Sequence, residues 1–200
     1  MTRYTAALAS RNRGKARELN ALLGDSFELL TLDDLGCTSE IPEDGLTFEE
    51  NARRKAEAVR DMFGMPALAD DSGLVVDALG GAPGVFSARF AGRHGDDAAN
   101  NALLLDLLLD KPQPRTARFV CALAFARPGG NTIIAHGACE GEIGICPDGN
   151  RGFGYDPLFY INGVSLARMS AAEKNMISHR AAAVRALIKM LAEGIAPLET

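Results

Sequence analysis

No apolar run in this 200-residue chain is long enough to cross a membrane. The opening MTRYTAALAS holds too short an apolar stretch for a signal peptide, so a cytoplasmic location is expected. Of the four cysteines, Cys37, Cys121, Cys139 and Cys146, no two share a CxxC spacing. That excludes the usual zinc-site and disulfide patterns and fits reduced thiols in a reducing compartment. Positive charge is not in excess either. The 21 Lys and Arg residues against 26 Asp and Glu leave a formal charge of −5. A general nucleic-acid binder would show a basic face instead, although a few local cations suffice to hold a single nucleotide. The chain has no internal repeat and no low-complexity tail. It also lacks a Walker P-loop, because Ala16 follows Lys15 where that motif needs Ser or Thr.

What remains is an ordinary globular composition, 47% apolar and 24% charged. Residues 1–200 fit a single domain with room for two lobes and a real core. Alternating strand and helix patterns, with one long hairpin, predict an α/β fold on a mixed sheet.

Residues 67–90, ALADDSGLVVDALGGAPGVFSARF, organise the rest. A short apolar run ends in Asp70 and Asp71, then come Ser72, Gly73 and a second apolar run. An acid pair at a strand end, before a glycine that lets the chain turn, can present carboxylates to a metal and a phosphate. The same residues are also ordinary turn punctuation.

Earlier in the chain, residues 4–9 read as a strand, followed by Ser10, Arg11, Asn12, Arg13, Gly14 and Lys15. A helix follows, with Ala16, Leu19, Leu22 and Leu23 on one face and Gly24 as its stop. A loop of this kind can offer backbone N–H groups and the Lys15 charge to an anion, or it can simply start a helix. After a second strand at 27–32, Thr47 and Glu50 have capping-box spacing. The helix they open places Asn51 and Lys55 one turn apart. Glu43 sits in the loop before it.

Residues 97–109 predict a helix with Ala98, Leu103, Leu104, Leu107 and Leu108 on its apolar side. Residues 116–127 and 132–146 predict the two long strands of the hairpin. The loop PDGNRGFGYDP, 147–157, holds Phe153, Tyr155 and Asp156 on a glycine-framed backbone, where an aromatic must pack on a purine or on a neighbouring loop. The last helix predicts Ser178 as its N-cap. His179 and Arg180 then lie in its first turn, where cations oppose the macrodipole, and such a conflict often marks a site.

Together these outliers suit a magnesium-bound polyphosphate. The acids hold a hard cation through oxygen, the lysines offset phosphate charge, and an aromatic with donors suits a purine. Five segments, SRNRGK, EDGLTFEENARRKA, ADDSGLVVDALGGAPGVFSARF, GFGYDPLF and EKNMISHRAAA, occur in order across the chain. With them the sequence resembles the inosine/xanthosine triphosphate pyrophosphatase family.

The resemblance implies two lobes around an elongated mixed β-sheet flanked by helices, with substrate in the cleft between them, and a homodimer. It implies hydrolysis of deaminated purine nucleoside triphosphates to monophosphate and pyrophosphate, with Mg²⁺ as cofactor and no nucleic acid or membrane as partner. Carried over residue by residue, Asp71 is the proton acceptor and a Mg²⁺ ligand, with Glu43 helping to hold the metal. Ser10, Arg11, Asn12, Arg13, Gly14, Lys15 and Lys55 bind the triphosphate, and Ser72 contacts substrate. Phe153, Gly154, Tyr155, Asp156, Lys174, His179 and Arg180 form the base pocket. The opening segment departs from the family at Ser10 and Arg11, where a Thr-Gly pair is common, which puts the Arg11 side chain in doubt. Two rival readings are a pyrophosphatase for modified pyrimidine triphosphates and a non-enzymatic nucleotide sensor on the same scaffold.

Overall fold

The computed structural model describes residues 3–39 and 41–194. In chain order the strands are β1 (Tyr4–Leu8), β2 (Phe27–Thr31), β3 (Ala67–Val76), β4 (Thr116–Ala126), β5 (Ile133–Ile143), β6 (Phe159–Ile161) and β7 (Val164–Ser165). The helices are α1 (Arg13–Leu23), α2 (Phe48–Phe63), α3 (Asp97–Leu107), α4 (Ala171–Ile177) and α5 (His179–Ala192). The strands form one mixed sheet in the order β2-β1-β3-β4-β5-β6-β7. β1 runs parallel to both β2 and β3, whereas β6 runs antiparallel to β5 and to β7. The α/β class expected from the alternation is the one found.

The chain divides into two compact units. The first comprises Met1–Asp71, Cys121–Gly137 and Arg180–Thr200, and the second Ser72–Val120 and Ala138–His179. In the first unit, β1 pairs with β2 on one side and β3 on the other, so the crossovers through α1 and α2 cover opposite sheet faces. Alternation along the strands sorts the side chains accordingly. Leu8, Leu68, Leu123 and Phe125 share a cluster with Leu19 and Leu23 of α1 and Val184 and Leu187 of α5. Ala7, Ala9, Ala67, Ala69, Ala122, Ala124 and Ala126 share another with Ala52, Ala56 and Val59 of α2. In the second unit, Leu74, Val76, Leu104, Leu108, Phe119, Tyr155 and Phe159 belong to one core cluster.

Local signals explain most boundaries. Asn12 caps α1, Gly24 ends it, and Gly64, at φ +62°, ends α2. Thr47 accepts the Glu50 N–H at 3.1 Å as a cap should. Glu50 reaches back one residue beyond the reciprocal partner, accepting from Leu46 N–H rather than Thr47 N–H, at 2.8 Å.

Two expectations need correcting. Asp70 and Asp71 do not end a strand, and Gly73 does not turn the chain: β3 runs through all ten residues of ALADDSGLVV. Each carboxylate finds a cation on its own face of the sheet, so tertiary pairing overrides the turn statistics. In α3 the buried face is Asn100, Leu104 and Leu108, while Leu107 is exposed. The helix is rolled because the Asn100 side chain holds the 88–91 backbone, accepting from Ala91 N–H at 2.8 Å.

Candidate active site

In the first unit Leu8, the last residue of β1, lies opposite Leu68 of β3. β3 continues past that point, so Asp70 and Asp71 lie where β1 has ended and residues 9–15 have begun. Order β2-β1-β3 makes this a topological switch point, the end of a parallel sheet where ligands bind.

The loop after β1 is tightly built. Ser10 N–H donates to Leu8 C=O at 2.8 Å, Ser10 Oγ accepts Asn12 N–H at 3.2 Å, and Asn12 Oδ1 accepts Lys15 N–H at 3.0 Å. The Arg11 guanidinium turns to the 33–39 segment, where it meets Asp33 at 3.0 Å and Cys37 C=O at 2.5 Å. Its side chain therefore clasps a loop, whereas Arg13 is exposed and Gly14 half-buried.

Successive strand residues face opposite ways, and this separates the two acids. Asp70, fully buried, faces α1 and α5. Lys15 Nζ lies 2.6 Å from its Oδ1 and Arg180 Nε 2.9 Å from its Oδ2, while Cys121 Sγ donates to Oδ2 at 3.1 Å. Arg180 also pairs with Glu18. Lys15 and Glu18 are three residues apart on α1, so one helix face brings a cation to Asp70 and an anion to Arg180. Burial alone would raise the Asp70 pKa, but Arg180 and Lys15 outweigh it and hold the carboxyl well below its ordinary value. For Arg180, burial works against the charge and Asp70 and Glu18 more than restore it. Burial, then Asp70, pushes the Cys121 thiol well up, so it stays protonated.

Asp71 faces α2 across the alanine surface. The buried positions of β1, β3 and β4 that cluster with α2 are all alanines, Ala7, Ala67, Ala69, Ala122, Ala124 and Ala126, so α2 approaches closely on Ala52 and Ala56. That proximity brings its polar residues to the strand. Lys55 Nζ donates to Asp71 Oδ1 at 3.0 Å, Glu43 Oε1 at 2.9 Å and Asp70 C=O at 2.9 Å, using all three ammonium protons. Asn51 Nδ2 donates to Asp71 Oδ2 at 3.2 Å, and its Oδ1 accepts Gly45 N–H at 2.7 Å. A Cβ at Gly45 would stand 2.7 Å from Asn51 Oδ1, so only glycine permits this approach. Burial raises the Asp71 pKa, Glu43 adds to it, and Lys55 and Lys15 only partly oppose it. Lys55 is the reverse case: burial would lower its pKa, but Asp71 and Glu43 raise it.

Among the described residues, no three His, Cys, Asp or Glu side chains form a complete metal cage. Asp71 and Glu43 are nonetheless hard oxygen donors converging on one point, the position of the Lys55 ammonium. Their donor chemistry fits a cation that takes one or two carboxylates and completes its shell with water and phosphate oxygens.

The second unit begins at Ser72, half-buried in β3. It gathers most of the expected base-binding residues on the 147–157 loop and α4. Lys174 Nζ pairs with Asp156 Oδ2 at 2.5 Å and lies 5.0 Å from the Phe153 ring centroid. Asp156 Oδ2 also accepts Phe153 N–H at 2.9 Å. At Gly152, φ +77°, a Cβ would collide with that carboxylate. Tyr155 is a core residue whose hydroxyl donates to Ser87 C=O at 2.9 Å. His179 is buried and stacks on Phe119 at 4.9 Å between centroids.

Thus Glu43, Lys55, Asp71 and the 10–15 loop fall in the first unit, and Ser72, Phe153 to Asp156, Lys174 and His179 in the second. Arg180, grouped in the sequence with the base residues, belongs to the first unit and engages Asp70 and Glu18. Glu18, Cys121 and the role of Asn51 escaped the sequence reading. The four-residue spacing of Asn51 and Lys55 was visible, and the three-residue spacing of Lys15 and Glu18 could have been.

The Ham1 family model matches residues 6–190. A curated relative from Exiguobacterium sibiricum, named dITP/XTP pyrophosphatase, is 50% identical over 184 residues, covering 90% of this chain and 93% of its own. One of the same name from Nocardia farcinica is 49% identical over 199 residues, covering 96% and 97%. The solved structure of a HAM1 protein from Coxiella burnetii superposes with a TM-score of 0.85 at 40% identity, covering 95% of this chain and 99% of that one.

Proposed function

This chain belongs to the Ham1 family, and from that membership we propose that it hydrolyses deaminated purine nucleoside triphosphates, ITP, dITP and XTP, to monophosphate and pyrophosphate. Such an activity would keep these bases out of DNA and RNA. The observation that carries the reading is the Asp71 environment: a buried carboxylate of raised pKa, held by Asn51 and Lys55 beside Glu43.

In this reading Asp71 accepts the proton of the water that attacks the α-phosphorus, and pyrophosphate leaves. A raised pKa makes the carboxylate a better base than an ordinary aspartate. Asp71 and Glu43 would hold Mg²⁺, which when bound neutralises triphosphate charge. Lys15, the N–H groups at the start of α1 and Lys55 offset the remaining charge, so positioning and electrostatics supply most of the rate. Asp70 takes no proton: held ionised by two cations, it fixes Lys15 at the phosphate end.

Phe153 would pack on the purine, with Lys174 and His179 as donors. Hypoxanthine and xanthine present a carbonyl at position 6, where adenine presents an amino group. Lysine is donor-only and histidine can donate, so a carbonyl is satisfied and an amino group is not. A mismatch of this kind can reject by as much as ~10⁴. In this reading the residues for the triphosphate belong to the first unit and those for the base to the second, and the chain passes from one unit to the other at residues 71–72, 120–121, 137–138 and 179–180. A homodimer and a cytoplasmic location complete the reading. Among the described residues no helix is long and apolar enough to cross a membrane.

The test is pyrophosphate release from ITP, XTP, ATP, GTP and dUTP with and without Mg²⁺. Release from ITP and XTP, dependent on Mg²⁺ and weak for ATP, supports the proposal. A preference for dUTP would favour the pyrimidine rival, and no release from any triphosphate would favour the sensor.

A further inference from the structure

The Gly154 peptide is gripped from one face of α3. Asp97 Oδ2 accepts the Gly154 N–H at 2.7 Å, and Asn101 Nδ2 donates to the Gly154 C=O at 2.9 Å. Asp97 and Asn101 are four residues apart and share a helix face. The helix does not need Asp97 as its cap, because Asp96 already accepts the Ala99 N–H at 3.1 Å. Asn101 bears a cost for its contact: its Oδ1 is buried with no hydrogen-bond partner among the described residues. Flipping the amide would not relieve it, since Oδ1 would then face the Gly154 carbonyl. From α4, Lys174 holds the same loop by donating to Asp156, which also accepts the Phe153 N–H. Gly154, at φ +62°, sits between these two grips.

We infer that Asp97 and Asn101 are positioning residues for substrate: they set the Gly154 peptide and, through it, the angle at which Phe153 meets the purine. This rests on the assignment of residues 153–156 to the base pocket. Both residues belong to the second unit, with the base residues and not with those assigned to the triphosphate, so their loss changes recognition of the base and leaves the chemical step alone.

The experiment measures KM and kcat for ITP, with Mg²⁺, on Asp97→Ala, Asn101→Ala, Asp97→Asn and Phe153→Ala, alongside thermal melting. Asp97→Ala and Asn101→Ala are expected to raise KM by about tenfold with kcat within about twofold, the effect of a hydrogen bond lost from the bound state. Asp97→Asn keeps an acceptor at the same place and should restore a KM near wild type. If Phe153→Ala raises KM while both alanine variants on α3 leave it unchanged, the inference is overturned and the pocket assignment survives. If the α3 variants lower kcat and melting temperature without moving KM, they support the fold only, and the inference is again overturned. An unchanged KM in Phe153→Ala would instead overturn the pocket assignment itself.

Discussion

Arg180 Nε lies 2.9 Å from Asp70 Oδ2, although the two residues are 110 positions apart in the chain. This contact closes a buried series of alternating charge, Lys15–Asp70–Arg180–Glu18, that ties α1 and α5 to one face of β3. Breaking a buried pair strands the remaining charge. Asp70→Ala should therefore cost about 3–5 kcal/mol in chemical denaturation. A loss under about 1 kcal/mol, the range of a surface pair, would show that the series adds little.

The same contact has a pH signature. Arg180 and Lys15 hold the folded pKa of Asp70 below its ordinary value of 3.8. Its stabilising contribution is thus fully present above that value and is lost as pH falls toward the folded pKa. Asn cannot ionise, so the stability gap between wild type and Asp70→Asn should be flat from about pH 7 to pH 5 and narrow below about pH 4. Urea melts across that range measure it, and a gap that widens on acidification would reverse the sign argued here.

On the other face, the alanines let α2 reach Asp71. Ala69→Leu inserts bulk between β3 and α2, at a cost of about 1–3 kcal/mol. It should also displace Lys55 and Asn51 from Asp71, lowering kcat more than the stability loss explains. Gly45→Ala acts more locally, because its Cβ would meet Asn51 Oδ1. Normal kcat in folded Ala69→Leu would show that the close approach of α2 is not needed for activity.

Metal dependence follows from the oxygen donors. Chelation should abolish pyrophosphate release and added Mg²⁺ restore it. Glu43→Gln removes one of two charged donors and should raise the Mg²⁺ concentration for half-maximal rate by about tenfold, given that affinity depends on ligand charge. An unshifted Mg²⁺ titration would take Glu43 out of the metal site.

Much of this was legible in the residues. The Thr47 cap, the helix it opens with Asn51 and Lys55 one turn apart, and the strand, loop and helix that start the chain follow from spacing alone. The acid pair was visible, but its setting was not: Asp-Asp-Ser-Gly has turn chemistry, and only partners on α1, α2 and α5 make it a strand interior. The burial of Asn100 in place of Leu107 was hidden for the same reason, since a helical wheel does not show a side-chain amide satisfying a distant backbone. Tyr155 read as a pocket aromatic because nothing local reveals that its hydroxyl reaches Ser87. Arg180 was grouped with the base pocket by the resemblance, beside His179, and nothing local reveals that its side chain pairs with Asp70 in the first unit.

The reading stands or falls on Asp71. The deciding measurement is pyrophosphate release from ITP by wild type and Asp71→Asn at saturating Mg²⁺, with melting temperatures taken in parallel. A folded variant whose turnover drops by about 10²–10⁴, as expected when a general base is lost, is the predicted result. A folded Asp71→Asn protein that turns over ITP at close to the wild-type rate would contradict it.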